Sequence, residues 1–237
     1  MADPLFAGRL ALVTGASRGI GAATAEALAA AGAHVVLTGR TAGGLEEVEA
    51  RIHEAGGTAT IAPLDLVEGD SIARLAEAIG QRWPALDILV LNAGTLGTLT
   101  PVTAIDGQEF NRLLTLNLLA NQALLANFDR LLKASPAARV IALTSSVGAR
   151  PRAYWGAYGA SKAALETLVL SYADEVANIA PIRVAIVDPG ATATRMRAAA
   201  FPGEDPKTIK PPAAVAAAIV RLLDTDFETG HRIRVEA

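Results

Sequence analysis

Arg9-Leu10-Ala11-Leu12-Val13-Thr14 followed by Gly15-Ala16-Ser17-Arg18-Gly19-Ile20-Gly21 decides how this chain is read. The first residues form a short apolar run, consistent with a buried strand, and the alanine-rich segment after the glycines, up to Ala31, continues as helix. A strand, a glycine turn and a helix N-terminus together make an anion site. Free backbone N–H groups and the positive end of the helix dipole point at whatever sits there. Gly15, Gly19 and Gly21 allow backbone and phosphate to approach closely, and Thr14 and Ser17 add hydroxyls. The spacing departs from G-x-G-x-x-G, because three residues separate the first two glycines.

The pattern repeats outward from this turn. His34 to Thr38 is a second strand and Gly44 to Ala55 a second helix, and strand, helix, strand implies a right-handed parallel unit. Where a fold preferring NAD would place an acid, roughly twenty residues after the glycines, the chain has Gly39 and then Arg40. No carboxylate stands there to repel a 2′-phosphate, and the guanidinium groups of Arg18 and Arg40 suit its geometry. Further strands are expected over Thr58 to Leu64, Leu86 to Leu91, Arg139 to Thr144, Ile182 to Val187 and Arg232 to Val235. Asp70 is placed to cap a helix running to Arg82, and Ala213 to Leu223 is the last helix. The segment 195–212, rich in Pro, Gly and charge, reads as a flap with little core to pack on.

The residues able to do chemistry fall at the ends of these strands. Asn92-Ala93-Gly94 follows the fourth strand, where parallel sheets open their binding crevice. Gln108 to Lys133 reads as one long apolar helix, with Asn117 and Asn121 inside it; a buried amide there needs a partner or a task. The fifth strand delivers Ser145 and Ser146, and alternation leaves open which of them faces the crevice. Tyr158 and Lys162 lie four apart at the start of a helix, so they share one face. An ammonium beside a phenol favours the phenolate and lowers the phenol's pKa, which would let the tyrosine exchange a proton with an alcohol or ketone.

Composition removes other classes. The 237 residues contain no cysteine and carry a net charge of -3, so there is no thiol chemistry, no disulfide and no basic footprint for nucleic acid. His34, His53 and His231 stand singly, read as surface positions, and make no metal set. No leader or membrane-spanning stretch is read, and a soluble cytoplasmic protein is the expectation. No linker or repeat interrupts the pattern, so residues 1–237 are expected to form a single nucleotide-binding domain.

Thr14 to Gly21, Asn92-Ala93-Gly94, Asn117, a serine ending the fifth strand, Tyr158-x-x-x-Lys162 and Pro189-Gly190, in that order, make the chain resemble the short-chain dehydrogenase/reductase family over nearly its whole length. The stretches around Trp155 and Met196 look like a bacterial subgroup whose substrates are poorly defined. The resemblance implies an α/β, doubly wound Rossmann-type fold. Its seven-stranded parallel sheet would have the order 3-2-1-4-5-6-7, with helices on both faces. It also implies hydride transfer between a nicotinamide and a carbonyl or alcohol, with NADP(H) preferred and NAD(H) possible. Tyr158 would be the general acid or base, and Lys162 would lower its pKa and hold the nicotinamide ribose. Ser145 is preferred to Ser146, since it lies thirteen residues before the tyrosine with the small Gly148 three beyond it. Asn117 would bind a water linked to Lys162. Gly15, Ser17, Arg18, Gly19, Ile20, Gly21, Arg40, Asp65, Leu66, Asn92, Ala93 and Gly94, with Pro189, Gly190, Thr192 and Thr194, would line the cofactor.

Leu96, Tyr154, Trp155, Met196 and Phe201 are expected to wall an apolar substrate pocket closed by the flap. A homodimer or homotetramer is expected, built on the leucine-rich helix and the helix after Tyr158. Two further readings remain: a cofactor-binding regulator or scaffold without turnover, and a 3-oxoacyl carrier-protein reductase whose anionic partner would need Arg150 and Arg152.

Overall fold

In the computed structural model, which describes residues 4–236, the strands expected from the apolar runs lie side by side. They are β1 (Leu10–Thr14), β2 (His34–Gly39), β3 (Thr58–Pro63), β4 (Ile88–Leu91), β5 (Ala138–Leu143), β6 (Ile182–Asp188) and β7 (His231–Arg234). All neighbours pair in parallel, in the order β3-β2-β1-β4-β5-β6-β7. Strands β1 and β4 are buried throughout, which is why their sequences show no polar alternation. The edge strand β7 is exposed and alternates in charge.

Successive side chains leave opposite faces of a strand, and two cores result. Val13, Leu37, Val90 and Ile141 face one way, with Ala25 and Leu28 of α1 (Gly19–Ala30), Leu45 and Val48 of α2 (Ala42–Glu54), and Ile219. Leu12, Val36, Leu89 and Val140 face the other, under α3 (Ser71–Arg82) and the two long helices introduced next. Helix α3 buries Ile72, Leu75, Ala76 and Ile79, one face at helical spacing. Asp70 sits at its N-cap position, but the carboxylate pairs with Arg74 and caps nothing, contrary to the expectation from sequence.

The segment read as one helix from Gln108 to Lys133 is continuously helical, with a π turn inside it: α4 (Gly107–Leu114), the π turn over Thr115–Leu119, and α5 (Ala120–Ala134). Asp106 caps α4, accepting from Glu109 N at 2.7 Å. After β5 come a single turn, α6 (Ser146–Ala149), and the long α7 (Gly156–Val176). The flap is more ordered than its composition suggests. It contains α8 (Arg195–Ala200), a 3-10 turn at Pro206–Thr208, and a bridge from Thr192 to Lys210, before α9 (Pro212–Leu223) closes the fold. Arg197 holds it together, donating to Glu204 through Nε at 2.6 Å and Nη2 at 2.5 Å and lying 3.7 Å above the Phe201 ring.

His34 is not a free surface residue either. Its two ring nitrogens meet the hydroxyls of Thr58 and Thr60 at 3.0 and 2.9 Å on the neighbouring strand. Among the described residues no helix is long and apolar enough to cross a membrane, and no His, Cys, Asp and Glu group could hold a metal.

Candidate active site

The strand order reverses between β1 and β4, and a crevice opens beyond their C-terminal ends. Thr14, fully buried at the end of β1, donates to Val90 O at 3.1 Å and accepts from Asn92 N and Ala93 N, both at 3.0 Å. Asn92 answers with its amide, which reaches Thr14 O at 2.8 Å and Gly15 O at 3.3 Å. The two strand ends are thereby tied, and Gly15 turns away in the left-handed region with φ +64°. Gly21 serves the turn from behind: a Cβ there would sit 2.3 Å from Gly15 O and 2.5 Å from Asn92 Nδ2. No side chain caps α1 and no acid occupies its first turn, which leaves the helix N-terminus facing the crevice.

A cavity of about 910 Å³ runs along these ends. Of the residues expected at the cofactor, Gly15, Ser17, Arg18, Gly19, Ile20, Arg40, Asp65, Leu66, Asn92, Ala93, Gly94, Tyr158, Lys162, Pro189 and Thr194 line it. Gly21, Gly190 and Thr192 do not. Thr192 is buried and its hydroxyl donates to Pro189 O at 3.0 Å, so it shapes the loop and turns away from the crevice. Gly190 makes the loop's left-handed turn, φ +62°, with its N–H on Asp188 Oδ1 at 2.9 Å. Arg18 and Arg40 are exposed and, among the described residues, neither is in an ion pair.

The catalytic candidates converge. Tyr158 and Lys162, on the first turns of α7, are both buried. Ser145 lies beside the phenol, whereas Ser146 is exposed and begins α6. Asn117, fully buried in the π turn, accepts from Thr95 N at 2.8 Å. It donates to Thr95 O at 2.9 Å and to Ser161 Oγ at 3.0 Å. Its amide therefore pins the segment after β4 against α7. Asn121, whose sequence position raised the same question, donates to Asn117 O at 2.9 Å within the same helix.

One electrostatic expectation is reversed. Burial, then the negative charge of Asp188, pushes the Tyr158 phenol up to about 12, against a smaller opposing pull from the Ser145 hydroxyl. The Lys162 ammonium is 5.8 Å from the ring centre and donates to Leu143 O at 2.8 Å. Burial also brings Lys162 down to about 8, with Glu166 opposing that fall. In this state the phenol is a held proton, fit to be given to a developing alkoxide.

The apolar wall was only partly foreseen. Leu96 and Met196 line the cavity, and Met196 Sδ lies 3.8 Å from Tyr158 Oη. Tyr154 does not line it: this residue is 60% exposed at φ 71°, a strained setting for a side chain of its size, and its carbonyl accepts from Thr100 N. Trp155 and Phe201 pack on each other with ring centres 5.7 Å apart, and Arg152 stands over both. Sequence reasoning missed Leu116, Glu109 and Arg195, which also line the cavity, and the two charged groups make it less apolar than expected. It also missed Glu166, although its place four residues after Lys162 on one helix was a readable signal.

Left-handed glycines at the turn, two exposed guanidinium groups and a cavity of this volume suit a phosphorylated dinucleotide. Gly94 adds a close approach, since a Cβ there would lie 3.2 Å from Asn117 Oδ1 and 3.7 Å from Lys162 Nζ. Residues 9–205 match the family model for short chain dehydrogenases. The uncharacterized oxidoreductase YciK of Escherichia coli K12 is 38% identical over 221 residues, covering 92% of this chain and 87% of its own. A Shigella flexneri 2a protein complexed with NADP superimposes with a TM-score of 0.94 at 36% identity, covering 100% of both chains. An Escherichia coli CFT073 protein complexed with NADPH gives the same TM-score, identity and coverage.

Proposed function

The chain belongs to the short-chain dehydrogenase family, and from that premise we propose that it is an NADP(H)-dependent oxidoreductase interconverting a carbonyl compound and its secondary alcohol. The observation that carries the reading is that one cavity is lined by Tyr158 and Lys162 and also by Arg18 and Arg40, with Ser145, which is not itself part of the lining, beside the Tyr158 phenol. The dinucleotide, when bound, supplies or accepts the hydride. Arg18 and Arg40 would hold its 2′-phosphate, the Gly15–Gly21 turn its pyrophosphate, and Lys162 its ribose. Asp65 and Leu66 would flank the adenine, and Thr194 would meet the carboxamide.

In the direction of reduction, the Ser145 hydroxyl would donate a hydrogen bond to the substrate oxygen. Tyr158 Oη would give that oxygen its proton as negative charge develops there. A phenol pushed up to about 12 is protonated across the physiological range, which favours this acid role over that of base in the free protein. Leu96, Leu116 and Met196 offer apolar surface to the rest of the substrate, with Glu109 and Arg195 as charged members of the same wall.

Titration of the purified protein with each dinucleotide tests the cofactor assignment. NADPH is expected to bind at least about tenfold more tightly than NADH, which corresponds to about 1.4 kcal/mol and is modest for charge-assisted phosphate contacts. Equal dissociation constants would overturn it. A screen of carbonyl compounds with NADPH then identifies the substrate class.

Assembly follows from the same frame. Leu119, in the π turn between α4 and α5, is 55% exposed, and Leu114 and Leu118 beside it are only partly buried, which supports the symmetric contact expected through α4, α5 and α7. Light scattering at micromolar concentration should report a dimer or tetramer; a monomer would end this assignment.

A further inference from the structure

Glu166 is a buried carboxylate to which no part of the reaction above gives a task. It lies one helical turn after Lys162 on α7, and its contacts lead back to the reacting groups from two sides. Oε1 accepts from the Thr144 hydroxyl. The residue before Thr144 is Leu143, whose carbonyl accepts from Lys162 Nζ at 2.8 Å, and the residue after it is Ser145. Two consecutive residues at the end of β5 are thus held by two side chains of one α7 face, immediately before the serine that faces Tyr158. Gly148 completes the packing: a Cβ there would lie 3.1 Å from Glu166 Oε1, a physical reason for a small residue three positions after Ser145. On its other side, Oε2 takes Arg232 Nη1 at 2.5 Å, from the edge strand β7. Arg232 is half-exposed, while Glu166 is nearly sealed from water.

We propose that Glu166, braced by Arg232, is a positioning residue that keeps Lys162 charged and fixes the strand end bearing Ser145. A buried ammonium loses its hydration and tends to lose its proton; a carboxylate one turn away on the same helix opposes that loss. Burial brings Lys162 down to about 8, so the loss of this neighbour is expected to change its charge in the working range. Other titratable groups stand near the pair. Tyr158 lies on α7 itself and Asp188 at the end of β6, the latter 3.9 Å from Arg234 Nε of β7. Leu143, Gly94 and Asn117 contribute only uncharged groups from β5, the segment after β4 and the π turn. Arg232 has the opposite influence to Glu166: it neutralises the carboxylate and adds a cation behind it.

This inference rests on the role given to Lys162 above, but its test does not need turnover. The chain's lysines are Lys133, Lys162, Lys207 and Lys210, so NMR of side-chain-labelled lysine can follow Lys162 in the protein without dinucleotide, assigned by its loss in Lys162→Ala. In Glu166→Gln, which preserves shape, the Lys162 ammonium is expected to titrate about one pH unit lower than in the wild type. In Arg232→Gln it is expected to titrate higher, because the carboxylate then faces Lys162 without its other counter-ion. Opposite directions in the two variants separate a charge effect from general loosening of the fold. An unmoved Lys162 in Glu166→Gln, or a shift in the same direction in both variants, would overturn the proposal. A shift as expected, with NADPH binding and turnover insensitive to Lys162, would leave the charge linkage standing and remove the catalytic reading instead.

Discussion

Tyr158→Phe is expected to lower kcat for carbonyl reduction by at least about a hundredfold, the contribution of a positioned acid, while the NADPH dissociation constant stays within a factor of about two. The substitution removes one oxygen and leaves the ring, which is buried at the start of α7 and meets the Trp155 ring edge-on at 6.0 Å between centres. Packing is preserved, so the loss falls on proton delivery. Met196 Sδ at 3.8 Å has no proton to offer in its place, and Ser145 would have to act alone. Steady-state turnover and a dinucleotide fluorescence titration on the same preparation separate the two effects. A variant retaining more than about a tenth of wild-type turnover would mean that another group gives the proton.

Lys162→Ala is expected to damage binding and chemistry together. The ammonium is buried, donates to Leu143 O, and lies close to Gly94, which also lines the cavity. Its removal leaves a void and a buried carbonyl without that donor, and it also takes away the charge-assisted hydrogen bond proposed to the nicotinamide ribose, worth about 1.5–3 kcal/mol. The NADPH dissociation constant should rise about tenfold or more, in line with that energy, and kcat should fall as well. Arginine cannot substitute, since its planar fork is larger than the space a 4% exposed lysine leaves and presents its donors differently. Unchanged NADPH affinity in Lys162→Ala, measured by calorimetry, would remove the lysine from the dinucleotide site.

These two expectations bear differently on the protonation of the site. In the free protein the phenol is held protonated by burial and by Asp188, and Lys162 points at the end of β5. Carbonyl reduction needs the proton in place and is served by this state. Alcohol oxidation needs the phenol to lose it, and under the roles proposed above the lysine would then turn toward the phenol and ribose. The charge on Lys162 disappears as pH rises through about 8, and support for either direction weakens above that point.

What could be read in the sequence alone was whatever depends on neighbours along the chain. The apolar runs of β1 and β4 announce strands because both faces are covered, and Ile72, Leu75, Ala76 and Ile79 announce a helix because their spacing is helical. Gly15 and Gly19 mark a turn that needs left-handed backbone, and the spacing of Tyr158 and Lys162 places them on one face. The dinucleotide preference could be argued from Gly39 and Arg40 for the same reason: the position follows a strand end that the sequence locates.

Tertiary structure decided everything that depends on partners distant in the chain. Asn117 is satisfied by Thr95, twenty-two residues away, and by Ser161, forty-four away, and it sits in a π turn inside a helix whose leucine pattern gives no sign of one. Ser145 comes to lie beside the phenol and Ser146 at the surface because the chain passes from β5 into the short turn of α6 there. Tyr154 turns outward on a strained backbone although its neighbours are aromatic and apolar, and the flap gains a helix through Arg197, Phe201 and Glu204. The direction of the Tyr158 shift was decided there as well. Spacing along a helix sets which charge is near, whereas desolvation is set by everything packed around the group, and a buried phenol 5.8 Å from an ammonium that is turned elsewhere responds to its burial first.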